Sequence, residues 1–419
     1  VEFNIIFLGS ACVIGFLMTW GVGANDLANI MSTTMASKAI TVWQAMLIAV
    51  IFEFAGAFLG GVHVTNTIRS GIINTTLFTN YPGILVYGML AVLLASMVWI
   101  LLASYVGMPV SITNTIVGAL VGFGAIVLGL HAVHWATVGF IALSWVCTPL
   151  VAGVGSYWLF ILVRRSILSA RDPIINSRRY LPFYFFIVGM VLSIMTVLKD
   201  LIRFGYHPNG WQQFLVVIIT SLIVMVIGCF LCNRVSLPEN PRRSQRFEHV
   251  EKKFGILMAF TACAMVFAHG SNDVAIAVGP VAAIHSILIH NGSLLMQETV
   301  PLWIMFMGCM GVVLGLFMYG HKVIATVGRG ITSLTPSRAF SATLAAAIAV
   351  IISTSSGIPV SATQTLVGGI FGVGIARGIG ALNLNVIRNI FLSWFVTVPA
   401  AAMLAIFFFD VMKWLFHFV

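Results

Sequence analysis

Apolar residues run along this chain in twelve stretches separated by short polar intervals. They lie at about 4–22, 42–62, 83–106, 110–130, 135–163, 183–198, 212–232, 254–290, 300–320, 339–354, 358–376 and 386–412. Most approach the ~20 residues that an α-helix needs to cross the ~30 Å hydrocarbon core of a bilayer. The pattern predicts an all-α polytopic membrane protein embedded in lipid, with about twelve membrane segments, some of them discontinuous or re-entrant. The first stretch has the position of a signal peptide. It has no basic leading region and no small-residue cleavage site, so it is read as mature structure.

Composition agrees with that pattern. Of 419 residues 60% are hydrophobic and only 8% charged, where a soluble domain carries about a quarter. The net charge of +10 would suggest nucleic acid in a soluble protein, but here it needs only to mark the cytoplasmic face, and no nucleic-acid partner is expected. Arg164, Arg165, Arg171, Arg178 and Arg179 fill one loop; Arg234, Arg242, Arg243, Arg246, Lys252 and Lys253 fill another two segments later. Counting from these, Lys38, Lys322, Arg329, Arg338, Arg377 and Arg388 also fall inside. Arg69, Lys199, Arg203 and Lys413 are left outside, with both termini. The positive-inside rule thus sets the orientation in a plasma (inner) membrane. The six cysteines lie in or beside apolar runs, including the Cys229/Cys232 pair, and read as packing residues.

The chain repeats itself. GVGANDLA (21–28) returns as AHGSNDVA (268–275), and GMPVSITNTIVG (107–118) returns as GIPVSATQTLVG (357–368) with eight of twelve positions identical. Ser144-Trp145 echoes Ser393-Trp394, and TIRSGI (67–72) echoes TVGRGI (326–331). Seven segments precede the second copy, so the copies are predicted to cross the membrane in opposite senses. The organisation expected is a first transmembrane repeat (1–163), two linking spans with basic loops (164–253) and a second, inverted repeat (254–419). Inverted repeats with a midplane site are the architecture of alternating-access transporters, and some channels share it.

Three acidic residues are read as lying deep within the membrane: Asp26, Glu53 and Asp273. An ionised carboxylate at mid-membrane costs about 2.5–3.5 kcal/mol on insertion scales, so each needs a partner or a purpose. Asp26 and Asp273 occupy equivalent places, each after an Asn (Asn25, Asn272), where small residues allow a helix to unwind. Asn29 lies four residues after Asn25 and shares its helix face. Glu53 has Val312 as its counterpart, and reads equally as a packing hydrogen bond or a cation ligand. Pro109 and Pro359 suit the first turn of a helix. Ser111, Thr113, Asn114 and Thr115, with Ser361, Thr363, Gln364 and Thr365, then stand at the start of half-helices, where free N–H groups and the dipole favour an anion. The plainer reading is that these hydroxyls close helix–helix contacts. No Lys or Arg falls in these motifs, so a bound oxyanion would be offset by dipoles and co-transported cations. Oxygen ligands from Asp26, Asn29, Glu53, Asn114, Asp273 and Gln364 suit Na⁺, while an Asp could instead carry a proton.

These motifs resemble the inorganic phosphate transporter (PiT) family over nearly the whole chain. The resemblance implies a homodimeric symporter for inorganic phosphate without a cofactor. The phosphate would be held by Asn25, Asp26, Ser111, Thr113, Asn114, Thr115, Asn272, Asp273, Ser361, Thr363, Gln364 and Thr365. FEFAGA (52–57) followed by VTNTIRSGI (64–72) is more similar to the sodium-coupled branch than to the proton-coupled one. A few members carry sulfate. One departure is visible: the family's second copy usually has an Asn where this chain has Ile276. Two other classes fit the sequence less well. A passive channel is disfavoured by the lack of paired Asn-Pro-Ala motifs and by the buried acids; an intramembrane enzyme is disfavoured by the lack of a nucleophile-and-base pattern.

Overall fold

A computed structural model describes residues 2–79, 81–199, 209–236, 242–290, 300–320, 333–378, 380 and 382–416. Each of the twelve apolar stretches becomes helix. The first half holds α1 (Glu2–Val22), α2 (Ala28–Ala36), α3 (Val42–Gly60), α4 (Val62–Asn66), α5 (Pro82–Val106), α6 (Ile112–Leu128) and α7 (Trp135–Val163). Two linking helices follow, α8 (Pro173–Lys199) and α9 (Gly210–Asn233). The second half holds α10 (Arg243–His269), α11 (Ala275–Ile289), α12 (Leu302–Tyr319), α13 (Pro336–Ser355), α14 (Ala362–Arg377) and α15 (Leu384–Phe416). Among the described residues nine helical stretches are long and apolar enough to cross a membrane. The first of them runs from Ile5 to Ala36, well beyond the end expected at residue 22. With 17 residues, α6 reaches only about 26 Å at 1.5 Å per residue, short of a full crossing.

Local chemistry sets the ends. Thr41 and Gln44 form a capping box at the start of α3, and Asn209 and Gln212 form another at α9. Pro82 opens α5, and Gly107, with φ 75°, closes it by adopting the left-handed conformation that lacks a Cβ penalty. Large apolar side chains such as Phe395 (77% exposed) and Trp414 (74%) project from the bundle, as lipid-facing positions do.

Packing pairs the two halves. α1 lies against α5 and α12; in equivalent fashion α10 lies against α13 and α3. α15 packs on α6, and α7 packs on α14. The tightest crossings repeat too. A Cβ on Gly23 would stand 1.7 Å from the Val312 carbonyl oxygen, and one on Gly270 2.3 Å from the Glu53 carbonyl oxygen. Positions 312 and 53 are those the sequence alignment pairs. Small residues at such contacts let backbones approach, which is how helices associate where lipid removes the hydrophobic driving force.

Arg69, expected in an outside loop, is instead only 1% exposed. It sits in a π-helical turn, Thr67–Gly71, that packs against α11, so this basic residue is drawn into the protein and does not serve as a surface topology marker. Arg203, Lys322, Arg329 and the 326–331 echo lie outside the described residues, as does the side chain of Lys199.

Candidate functional site

The Asn-Asp motifs sit in matching irregularities. α1 passes into α2 through a π-helical turn, Gly23–Leu27, and α10 passes into α11 through another, Gly270–Val274. The helix was expected to unwind here; it widens by one residue per turn instead. Lipid supplies no partner for exposed backbone groups, and a π turn keeps the hydrogen bonds internal, with the Ala28 N–H donating to the Gly23 carbonyl. The extra residue turns Asn25 and Asp26 off the regular helix face.

The second elements also match. Ser111 caps α6, its hydroxyl accepting from the Asn114 N–H at 3.3 Å, and Ser361 caps α14, accepting from the Gln364 N–H at 3.2 Å. Pro109 and Pro359 stand two residues before these caps, outside any helix, and not in the first helical turn as expected. Gly107 and Gly357, both at positive φ, end the helices before them. Ser111→Ala and Ser361→Ala are each expected to cost about 1 kcal/mol of stability. Thermal unfolding of the purified protein checks this, and two similar losses would mark equivalent caps.

The two elements then meet. The Asn25 side-chain oxygen accepts from the Val110 N–H at 3.1 Å, and its amide donates to the Met108 carbonyl at 2.9 Å. Asn272 does the same at Val360, accepting from its N–H at 3.2 Å and donating to its carbonyl at 2.6 Å. Each Asn thus ties a π turn to the entrance of a half-helix.

The Asp residues break this equivalence. Asp26, 2% exposed, accepts from the Ile112 N–H at 3.1 Å and from the Thr363 hydroxyl at 2.6 Å, so one carboxylate joins the starts of α6 and α14. Thr113, the counterpart of Thr363, donates to the Val360 carbonyl at 2.7 Å. Asp273, 1% exposed, lies instead 3.7 Å from Nε2 of His269, whose Nδ1 is 2.6 Å from the Glu53 carboxylate. Thr115 and Thr365 return their hydroxyls to the Ser111 and Ser361 carbonyls, both at 2.7 Å, and the Thr365 hydroxyl also lies 2.9 Å from that of Thr148 on α7. Ile276 is wholly buried in the apolar core.

From the sequence His269 reads as a packing residue or, directly before the second Asn-Asp pair, as one that adjusts a nearby ion site. The available signal was its spacing, four residues before Asp273 and on the same helix face. Several oxygens in this neighbourhood have no hydrogen-bond partner among the described residues: Asn29 Oδ1, Glu53 Oε2, Asn114 Oδ1, Asp273 Oδ2 and Gln364 Oε1. Buried polar atoms of native proteins are nearly always satisfied, so a concentration of orphaned oxygens calls for a ligand. These oxygens suit a hard cation, and His269 Nε2, 3.7 Å from Asp273 Oδ2, is without a hydrogen-bond partner among the described residues as well.

A sequence profile described as the phosphate transporter family matches residues 22–405. The chain belongs to this family. The transporter is 45% identical over 405 residues to a Haemophilus influenzae protein named as a candidate phosphate permease, covering 97% of this chain and 96% of that one. It is 38% identical to inorganic phosphate transporter 2-1, chloroplastic, of Arabidopsis thaliana, covering 96% of this chain and 71% of the relative. A solved structure described as the sodium-dependent phosphate transporter superposes with a TM-score of 0.89 at 36% identity, covering 97% of this chain and 99% of that chain. The transporter is therefore an integral membrane protein that moves a solute, and not an enzyme.

Proposed function

We propose that the transporter is a sodium-coupled symporter of inorganic phosphate that works by alternating access. The observation that carries this reading is the set of orphaned oxygens on Asn29, Glu53, Asn114, Asp273 and Gln364 beside two capped half-helix starts. The N-termini of α6 and α14 offer N–H groups and positive dipole ends to an oxyanion. Ser111, Thr113, Asn114, Ser361, Thr363 and Gln364 line those starts and orient it. No Lys or Arg stands among these residues, so the negative charge of the cargo must be offset by cations travelling with it. Sodium ions held by the amide and carboxylate oxygens supply that offset. The 36% identity to a structure described as sodium-dependent supports sodium as the ion.

Residues 1–163 and 254–419 act as two repeats of opposite sense about this shared site, with 164–253 linking them. The paired helix contacts and the matching Gly23 and Gly270 crossings support this division. Movement of one repeat against the other would expose the site to each side in turn. The protein sits as a homodimer in a plasma (inner) membrane with both termini outside. A proton-coupled reading is favoured by one observation, the Glu53–His269–Asp273 chain of ionisable groups.

Labelled phosphate uptake into proteoliposomes separates the two readings. A sodium gradient alone is expected to drive accumulation above equilibrium, with unlabelled arsenate competing more strongly than sulfate. Accumulation with a proton gradient alone, and none with sodium, would replace the coupling ion. Equilibration without accumulation under either gradient would remove the symporter reading.

A further inference from the structure

The duplicated Ser-Trp pairs, Ser144-Trp145 on α7 and Ser393-Trp394 on α15, lie outside the Asn-Asp and half-helix motifs. The indole N–H of each tryptophan is buried and has no hydrogen-bond partner among the described residues. Trp394 is only 6% exposed, and Trp145 is partly buried. Tryptophan carries one donor and no acceptor, so each ring leaves a proton unshared inside the protein. Trp99 shows the ordinary outcome, since its Nε1 donates to the Thr397 hydroxyl at 3.2 Å.

Helix packing decides what stands level with the two rings. α15 runs parallel to α6. A Cβ on Gly118 would meet the Val398 carbonyl oxygen at 2.6 Å, and one on Gly122 would meet the Ala402 Cα at 2.7 Å. One turn back, this register brings Trp394 to the level of Asn114. α7 runs parallel to α14 in the same way, with Gly368 against the Pro149 backbone and Gly372 against that of Gly153. One turn back, Trp145 is level with Gln364. Two side-chain contacts fix the same pairings: the Ser393 hydroxyl donates to the Pro109 carbonyl at 3.0 Å, and the Thr365 and Thr148 hydroxyls lie 2.9 Å apart. Asn114 Oδ1 and Gln364 Oε1 are themselves buried acceptors without a partner among the described residues. Each repeat thus sets an unused donor at the level of an unused acceptor.

A symporter must return without its cations, and the oxygens that held them are then buried and bare. Leaving a buried acceptor unsatisfied costs more than a hydrogen bond gains, so the empty carrier needs a donor there. An indole N–H suits this role because it is uncharged and does not repel the incoming cation. The last torsion of an Asn or Gln side chain is soft, so its oxygen can turn toward the indole or toward the half-helix start.

We infer that Trp145 and Trp394 are positioning residues for cation coupling, an inference that rests on the sodium-coupled reading. Each indole N–H holds the amide oxygen level with it, Gln364 Oε1 or Asn114 Oδ1, while no cation is bound, and yields it when one arrives. The rings touch neither ion nor phosphate. They set the sodium affinity by giving the empty site an alternative partner.

The test compares Trp145→Phe and Trp394→Phe, which keep an aromatic ring and lose the donor, with Trp158→Phe, a control position 63% exposed. In proteoliposomes the sodium concentration for half-maximal phosphate uptake is expected to fall about twofold to tenfold in the first two, the range one hydrogen bond supports. The phosphate concentration for half-maximal uptake at saturating sodium should stay the same, and the control should match the parent throughout. Melting temperatures of the full chain in nanodiscs should fall in sodium-free buffer and match the parent at saturating sodium. In the 15N-labelled parent the two indole N–H resonances, assigned from the variants, should shift as sodium replaces potassium. Equal losses of melting temperature with and without sodium would make the rings packing residues and overturn the inference. A changed phosphate dependence with unchanged sodium dependence would aim the donors at the anion and overturn it too. Variants that match a sodium-dependent parent would sink this inference alone, whereas a parent that needs no sodium would remove the coupling reading and this inference together.

Discussion

Asp26→Asn is expected to reduce phosphate uptake at least about a hundredfold in proteoliposomes while leaving a folded, monodisperse protein. The Asp26 carboxylate accepts from the Ile112 N–H and the Thr363 hydroxyl, so one side chain holds the half-helix of each repeat. Hydrogen bonds to a charged group contribute about 1.5–3 kcal/mol each, and 1.4 kcal/mol is a factor of ten. An amide of the same shape keeps one acceptor and loses the charge that would draw a cation. Asp273→Asn should fall as far for a different reason. Its Oδ2 is free of hydrogen bonds and faces His269 at 3.7 Å, so the loss would appear in sodium dependence more than in stability. Normal uptake with unchanged ion dependence in both variants would remove the site assignment.

Gly23→Ala should yield little folded protein. One added carbon would stand 1.7 Å from the Val312 oxygen and 2.5 Å from its carbonyl carbon. Both are backbone atoms of α12 and cannot rotate away as a side-chain end can. Overpacking a core commonly costs about 1–3 kcal/mol, and a clash with backbone in a close-packed interior exceeds that range. Gly270→Ala meets the Glu53 carbonyl oxygen at 2.3 Å and should fail in the same way. Gly9→Ala is the control, because nothing lies within 4 Å of its added carbon. Size-exclusion yield and melting temperature in detergent provide the readout. Wild-type behaviour of Gly23→Ala would show that α1 and α12 do not cross as closely as described.

Much of the architecture was legible because it is written locally. A run of ~20 apolar residues declares a membrane helix wherever the chain goes next. Ser111 and Ser361 announce helix starts through a hydroxyl that reaches an N–H three residues on. Gly107 and Gly357 announce helix ends because the backbone there needs positive φ. The duplication was visible for the same reason, since each motif is a short contiguous string. The widened turns at Gly23–Leu27 and Gly270–Val274 were not, because π and α geometry differ by one hydrogen-bond register that no side chain in the motif declares.

The amino-acid sequence alone determined that this is a helical membrane protein built from a doubled motif, and which Asn, Asp, Ser, Thr and Gln residues carry its polar chemistry. These properties depend on hydrophobicity, caps and breaks within a few residues of one another. Only the tertiary structure decided that Asp26 serves both half-helices while Asp273 turns to His269 and Glu53. Asp26 and Thr363 are 337 residues apart in the chain, and Glu53 and His269 216 apart. Equivalent residues in two copies share local propensities. Their partners are set by how the copies pack, and two differences, Glu53 against Val312 and His269 against Val22, accompany the division of their roles.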